Sequence, residues 1–333
     1  MFARLFRNSG EARLWSAEIR AMAALAWPMV LTNVAQTAMT VTDVMMMGWL
    51  GPRELAAGTL GANLYFSPFI FGMGLVLAVS PMIAFELGRK RHSVRDVRRS
   101  VRQGLWIAGS VSIPIWVLLW FTEEILVAMG QDPDLAAEAA VYVQTLQWAI
   151  LPFYGFAVLR SFISALERPR WAMWIVVTTV LFNGFLNYCI MLGNFGFPRL
   201  GVFGAGITTT ASSTLMFLAL TLVILTDRKF RRYRLFGRFW RADWPRYREM
   251  LRLGLPIAGI MAFEVTLFNG AALLMGLIDA VSLAAHAIAI QFGSLAFMVP
   301  MGIGQAVTVR VGRAFGAGDR DGITRAGWTA LAL

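Results

Sequence analysis

The stretch GLVLAVSPMIAFELG, residues 74–88, is followed 228 positions later by GIGQAVTVRVGRAFG, residues 302–316, and glycines align at both ends. The same offset aligns Pro28 with Pro256 and Leu55-Ala56-Ala57 with Leu283-Ala284-Ala285. No gap is needed between about residues 28 and 95, and the second copy begins near residue 250. Parallel duplication of apolar segments is typical of transporters with a substrate site between two halves. The sequence therefore predicts one complete half and the beginning of another.

Long apolar segments dominate the composition. Hydrophobic residues make up 58% of the 333 residues and charged residues 15%, whereas soluble domains carry about 25% charged residues. Runs of about 20 apolar residues, each able to cross ~30 Å of hydrocarbon, recur along the chain. We predict spans at 21–47, 56–85, 102–121, 139–159, 171–193, 203–226, 252–275 and 283–309, with a ninth beginning near 323. The predicted fold is an all-α polytopic membrane protein with a complete six-helix bundle and about two and a half helices of a second.

The net charge of +11 is distributed unevenly between the two sides of the predicted membrane. All but two of the 30 lysines and arginines, the exceptions being Arg53 and Arg199, fall on the side of the N-terminus. The positive-inside rule therefore predicts a multi-pass protein with a cytoplasmic N-terminus. This distribution argues against a nucleic-acid partner.

Four regions follow from the spans and the repeat. We predict a cytoplasmic N-terminal segment (1–20), a first six-helix bundle (21–226), a basic cytoplasmic linker (227–251) and a partial second bundle (252–333). Six spans per repeat is an even number, so a pseudo-twofold axis along the membrane normal should relate the repeats. Aromatic and basic residues alternate in the linker; we favour contact with lipid headgroups over single-stranded nucleic acid, because membrane spans flank it.

Polar residues inside the spans are the candidate functional residues. A charged residue at the centre of a span costs about 2.5–3.5 kcal/mol, so Asp43 and Glu264 are functional candidates. Asn183 and Asn187 share one helix face and lie at a height comparable to that of Asp43. Together the three predict a cation-binding site for a proton or sodium ion. The alternatives are an interfacial carboxylate for Asp43 and helix-to-helix hydrogen bonds for the asparagines.

The repeat offset places Glu264 opposite Gln36, and Ala271 opposite Asp43. Positions seven apart share a helix face, so both repeats should present the same face of their first helix. We assign Glu264 and Gln36 to substrate binding or coupling. Pro28 and Pro256 are candidate hinges, because each removes a helical hydrogen bond; alternatively they mark the helix starts.

No pattern in the chain indicates a catalytic or metal centre. His92 lies in a basic loop and His286 opens the eighth span, with no second His or Cys at ligand spacing, so we expect no metal. Cys189 is expected to be a packing residue. There is no nucleotide-binding loop and no catalytic constellation at either membrane face. We therefore expect neither an enzyme nor a bound cofactor.

Several stretches resemble the multidrug and toxic compound extrusion (MATE) family, in its NorM-like branch. They are Thr42-Asp43-Val44-Met45 through Gly48; Leu151-Pro152-Phe153 through Leu159-Arg160 with Arg168-Pro169; Asn183 through Leu186-Asn187-Tyr188 and on to Gly204-Ala205-Gly206; Phe263-Glu264-Val265; and Pro300-Met301-Gly302-Ile303-Gly304 through Gly316-Ala317-Gly318-Asp319. The resemblance covers nearly the whole chain.

This resemblance implies twelve helices in two bundles, in a monomer of the bacterial inner membrane. It implies a secondary active antiporter that exports amphipathic, often cationic drugs in exchange for Na⁺ or H⁺, with membrane lipids as its surroundings. It also matches Asp43, Asn183 and Asn187 to the family's cation site and Glu264 to its seventh-helix acid. The alternative is a lipid or polysaccharide-precursor flippase. Helices ten to twelve are missing, so we expect a truncated form that cannot transport alone.

Overall fold

The computed structural model of the chain describes residues 9–89, 93–237, 240, 242–278 and 280–333. The regular elements in these ranges are helices, which confirms the all-α class. In chain order they are α1 (Ser9–Leu50), α2 (Pro52–Leu77), α3 (Val79–Arg89), α4 (Ser93–Trp120), α5 (Thr122–Ala128), α6 (Pro133–Leu146), α7 (Ile150–Ala165), α8 (Arg170–Leu186), α9 (Gly201–Thr226), α10 (Arg228–Arg231), α11 (Trp244–Ile278), α12 (Ala280–Ala317) and α13 (Arg320–Ala332).

Seven helical stretches in the described part of the chain are long and apolar enough to cross a membrane. They are Pro52–Arg89, Ser93–Trp120, Pro133–Ala165, Arg170–Met191, Gly201–Thr226, Trp244–Ala271 and Ala289–Ala317. α1 is 42 residues long, but Asn33, Gln36 and its threonines lower its mean hydropathy. These stretches and α1 cover the eight predicted spans.

Three of the spans contain local irregularities that the periodicity did not predict. The second span breaks between α2 and α3 at Ala78, and a 3₁₀ turn over Gln147–Ala149 joins α6 to α7. α8 ends in a single π turn over Asn187–Met191. Such π turns are rare and occur most often at functional sites.

The first repeat encloses a large apolar core between α2, α4, α6, α7 and α9. Tyr154 is fully buried there, and its hydroxyl donates a hydrogen bond to the backbone oxygen of Phe69 at 2.7 Å. The Phe69 ring stacks on those of Tyr65 and Tyr154, with centroids 5.4 Å apart in each case. This aromatic column fixes α2 against α7.

The two repeats meet through glycines related by the 228-residue offset. A Cβ on Gly74 would overlap Ala258, and a Cβ on Gly302 would overlap Val30, the residue equivalent to Ala258. These reciprocal contacts are what a pseudo-twofold axis between the repeats requires. The offset read from the sequence is therefore also a structural symmetry.

Further glycines continue this interface toward the ends of α3 and α12. A Cβ on Gly88 would overlap the carbonyl oxygen of Arg313, and one on Gly316 would overlap that of Phe85. Gly312 faces Ala84, its own equivalent in the first repeat, so this contact lies on the pseudo-axis. The small side chains let the backbones approach closely, as at other membrane helix interfaces.

Ion pairs flank these glycines at the same end of the molecule. Arg310 contacts Glu18, with its Nε 2.9 Å from Oε1, and Arg246 contacts Glu86, with Nη2 2.7 Å from Oε1. Glu18 and Arg246 occupy equivalent positions in the two repeats but carry opposite charges, and their partners Arg310 and Glu86 are not equivalent positions. We call this the basic end, because Arg95 and Arg98 also lie there.

The repeats separate toward the opposite end. Phe263 on α11 and Phe292 on α12 are 78% and 71% exposed. Gly270 and Gly293 have open space where a Cβ would lie. Among the side chains that the structure describes, the close contacts of α11 and α12 with the first repeat therefore lie in the halves nearer the basic end.

The glycine interface predicts that an added methyl group destabilises the fold at Gly88 or Gly316. Gly88→Ala and Gly316→Ala should each lower the free energy of unfolding by about 1–3 kcal/mol, because the new Cβ meets backbone that cannot move aside. Thermal unfolding of the protein in detergent micelles measures this loss.

Gly109→Ala is the matched control, because nothing lies within 4 Å of a Cβ at this position in α4. That variant should gain about 0.5–1 kcal/mol from reduced backbone entropy. If all three variants unfold at the same temperature, the close approach of α3 and α12 is wrong.

Candidate functional site

Asp43, Asn183 and Asn187 form one buried cluster between α1 and α8. The Asn187 Nδ2 donates a hydrogen bond to Asp43 Oδ1 at 2.5 Å and another to Asn183 Oδ1 at 3.3 Å. Asp43 is 6% exposed and both asparagines are fully buried. Asn187 opens the π turn at the end of α8. The structure therefore brings together the three residues that the sequence predicted as a cation site.

Two threonines of α9 complete this cluster. Thr209 Oγ1 donates to Asp43 Oδ2 at 3.1 Å, and the Thr208 hydroxyl donates to Asn187 Oδ1. The sequence analysis did not assign either residue. The signal that could have found them is the run Thr208-Thr209-Thr210, three consecutive hydroxyl side chains in the sixth span.

The cluster offers oxygen atoms and no positive charge. None of the salt bridges between described side chains involves Asp43, although its carboxylate is buried. A buried carboxylate without a basic partner gains most from a proton or cation held against it. Carboxylate, amide and hydroxyl oxygens are suitable ligands for a hard cation. The Nδ2 of Asn183 is buried without a hydrogen-bond partner among the described residues.

A cavity of about 340 Å³ opens beside Asp43, within the range of small-molecule sites. Its wall is mainly apolar and aromatic, with Tyr65, Phe66, Phe69 and Phe153 among the lining residues. Asp43 and Thr209 belong both to this wall and to the polar cluster. The cavity and the cluster thus share one carboxylate.

Gln36 also lines this cavity and accepts a hydrogen bond from Arg160. The Arg160 Nη1 is 3.3 Å from Gln36 Oε1 and 3.3 Å from Asn33 Oδ1. The sequence analysis counted Arg160 among the residues on the side of the N-terminus. The predicted fourth span ended at residue 159, whereas α7 continues to Ala165, so Arg160 lies within the helix and its guanidinium lies between helices.

Glu264 lies apart from the cluster. It is on α11, its side chain is exposed, and no hydrogen bond or salt bridge between described side chains involves it. It does not line the cavity beside Asp43. Its role in substrate binding or coupling stays a prediction.

Pro28 and Pro256 lie inside their helices. α1 begins at Ser9 and α11 at Trp244, so neither proline marks a helix start. Val30 and Ala258, two residues after each proline, are the residues that contact Gly302 and Gly74. Their use as hinges stays a prediction, but a kink at either would act directly on the contact between the repeats.

No cluster of three His, Cys, Asp or Glu side chains in the described ranges is placed to hold a metal ion. Cys189 is buried in the π turn.

A duplicated helical membrane fold with a buried polar cluster beside an aromatic cavity defines a transporter. The chain belongs to the MatE family, whose profile matches residues 28–189 and 256–333. Proteins of this family are transporters and not enzymes, which confirms both the resemblance and the expectation that the chain is no enzyme.

Curated relatives support this assignment. The chain is 67% identical over 320 residues to a probable multidrug resistance protein NorM of Mesorhizobium japonicum, covering 96% of this chain and 68% of that protein. It is 50% identical over 323 residues to a protein of the same name from Brucella suis, covering 97% and 69%. The chain thus spans roughly two thirds of these relatives.

Solved structures share the fold. The eukaryotic MATE transporter AtDTX14 superposes with a TM-score of 0.85 at 22% identity, covering 96% of this chain and 70% of that one. A multidrug resistance MATE family transporter of the MOP superfamily, in an outward-facing conformation, superposes with a TM-score of 0.83 at 19% identity, covering 95% and 69%.

The cluster predicts that removal of the Thr208 hydroxyl destabilises the protein. Thr208→Val leaves the buried Asn187 Oδ1 without this donor, and an unsatisfied buried polar group costs about 1–3 kcal/mol. Chemical or thermal unfolding in micelles measures the loss.

Thr178→Val is the control, because the exposed Thr178 hydroxyl bonds only to its own helix backbone. It should unfold like the unchanged protein. Equal stability of the two valine variants would show that Thr208 is no part of a connected cluster.

Proposed function

We propose that this chain forms part of a secondary active multidrug exporter of the bacterial inner membrane, which exchanges amphipathic, often cationic compounds for Na⁺ or H⁺. The observation that carries the proposal is the position of Asp43, which belongs both to a buried oxygen cluster and to the wall of an aromatic cavity. The names of the NorM relatives support multidrug resistance as the biological role.

The shared carboxylate supplies a physical basis for exchange. A coupling cation held by Asp43, Asn183 and Asn187 neutralises the carboxylate. A cationic drug in the cavity needs the same negative charge, so each species lowers the affinity for the other, and this coupling is reciprocal. Binding of the cation would thus favour release of the drug.

The aromatic wall suits the apolar part of such a drug. Tyr65, Phe66 and Phe69 offer ring faces to flat apolar groups, and ring faces also attract organic cations. Recognition by stacking and one charge requires no fixed pattern of hydrogen bonds. This arrangement is compatible with varied substrates.

The distribution of arginines supports a cytoplasmic basic end and a cytoplasmic N-terminus. With this orientation, contact between the repeats at the basic end and exposure of α11 and α12 toward the other end would correspond to an outward-facing state. Alternating access would separate the glycine interface and close the opposite end. Pro28 and Pro256 are placed to act as the hinges, and Glu264 on α11 as a second acidic group for substrate or coupling.

The alternative function is a flippase for a lipid or a polysaccharide precursor. Phosphate-bearing substrates would favour basic residues in the cavity. The described lining of the cavity contains Asp43 and neither Lys nor Arg. This charge favours the exporter of cations.

Neutralising Asp43 should weaken the binding of a cationic drug. For Asp43→Asn we expect ethidium to bind about 10- to 100-fold more weakly, since a charge-assisted contact contributes about 1.5–3 kcal/mol. Fluorescence titration of the purified protein in nanodiscs measures the dissociation constant. Glu54→Gln is a control that removes a carboxylate outside the described cavity lining. Unchanged ethidium affinity in Asp43→Asn would refute the role of Asp43.

Replacing Asn183 and Asn187 should weaken the binding of the coupling cation more than the binding of the drug. In Asn183→Ala/Asn187→Ala we expect ethidium affinity to change little in the absence of the coupling cation, because neither residue lines the cavity. The weakening of ethidium binding by NaCl relative to choline chloride, or by lower pH, should be lost. The same competition in the double variant and the unchanged protein would leave only a structural role for the two asparagines.

A further inference from the structure

A basic pocket of about 730 Å³ lies at the basic end, between the first turns of α4 and the linker that precedes α11. Six charged residues line it: Arg95, Arg98, Arg99, Arg102, Arg234 and Asp243. It is separate from the cavity beside Asp43 and shares no lining residue with it.

The positive charge of this pocket is only partly balanced. Asp243 is its one described acidic lining residue, and it already contacts Arg99, with Oδ2 2.5 Å from Nε. The hydrogen bond from Arg99 holds the pKa of the Asp243 carboxyl below its usual range, so this group stays ionised. No side-chain hydrogen bond or salt bridge within the described ranges involves Arg95, Arg98 or Arg234. The pocket therefore carries an excess of guanidinium groups.

The linker wall of the pocket is held in place by apolar anchors. Tyr233 and Leu235, on either side of Arg234, are buried. The ring of Phe162 on α7 packs against those of Phe230 and Tyr233, with centroids 5.9 and 5.2 Å away. On the other wall, Arg102 is only 8% exposed. A wall that is fixed before binding loses less entropy when a ligand arrives.

Two features place this pocket at the level of lipid headgroups. The spans Ser93–Trp120 and Trp244–Ala271 both begin beside it. Trp240, three residues before the lining residue Asp243, and Trp244, directly after it, are 79% and 58% exposed. Exposed tryptophans at the ends of spans are typical of the membrane–water interface. A ligand at this height can come from the bilayer itself.

We propose that this pocket binds the phosphate groups of an anionic phospholipid, with a two-phosphate headgroup of the cardiolipin type as the preferred ligand. Guanidinium groups form paired hydrogen bonds with phosphate oxygens, and basic pockets between membrane helices bind such headgroups. The lipid would connect α4 of the first repeat to the linker that enters the second. Arg246, which joins Glu86 and Ser100 across the repeats, lies three residues after Asp243.

The test compares two double variants with equal change in charge. Arg95→Gln/Arg98→Gln removes two lining guanidiniums. Arg228→Gln/Arg231→Gln removes two exposed guanidiniums of α10 that do not line the pocket. Thermal unfolding in micelles is measured with added cardiolipin, phosphatidylcholine or inorganic phosphate, and native mass spectrometry counts the lipids that stay bound.

We expect cardiolipin to raise the unfolding temperature of the unchanged protein and of the α10 variant, with one lipid retained in both. Arg95→Gln/Arg98→Gln should lose most of the shift and the retained lipid. If that variant does not fold, Arg234→Gln is measured in its place. An equal loss in the α10 variant would indicate a diffuse surface effect and overturn the proposal. A shift with phosphatidylcholine equal to that with cardiolipin, or one reproduced by inorganic phosphate, would also overturn it.

Discussion

The close approach of helix backbones at Gly74, Gly88, Gly302 and Gly316 is the contact on which the packing of the two repeats depends. Ala258 packs directly against Gly74, and Val30 packs against Gly302. At Gly88 and Gly316 the backbone of the opposite repeat comes equally close. Larger side chains at these positions would hold the repeats apart. The close contacts between described residues lie toward the basic end, and α11 and α12 are exposed farther from it, as at Phe263 and Phe292. The interface therefore sets the side to which the space between the repeats opens.

The polar cluster around Asp43 lies within the first repeat, where α1, α8 and α9 meet. Asp43 is buried and accepts hydrogen bonds from the Asn187 Nδ2 and the Thr209 hydroxyl, but it has no basic partner among the described side chains, so a proton or cation would stabilise it. In the function we propose, the neutral amides and hydroxyls around it would stabilise a bound cation without neutralising the carboxylate themselves. The same carboxylate faces a cavity of aromatic rings. The proposed competition between an ion and a drug would then follow from electrostatics and would require no long-range signal.

The sequence predicted more of the fold than of the site. Offset 228 and the apolar runs predicted the helices and the repeat symmetry, and comparable heights placed Asp43 with Asn183 and Asn187. Thr208, Thr209 and the neighbours of Arg160 were missed, because hydrophobic periodicity does not show which helices touch. The break at Ala78 and the π turn at Asn187 were also missed, since such irregularities depend on packing. Pro28 and Pro256 show that a proline can lie inside a long helix when neighbouring helices support it.

The central claim is that one carboxylate serves both the coupling ion and the drug. Its most direct test is the number of cations released when ethidium binds to the purified protein, measured with radiolabelled sodium and with a pH-sensitive dye in weakly buffered solution. The account predicts that each bound ethidium displaces about one sodium ion or proton. Simultaneous binding of ethidium and cation, with no release of either ion, would contradict it.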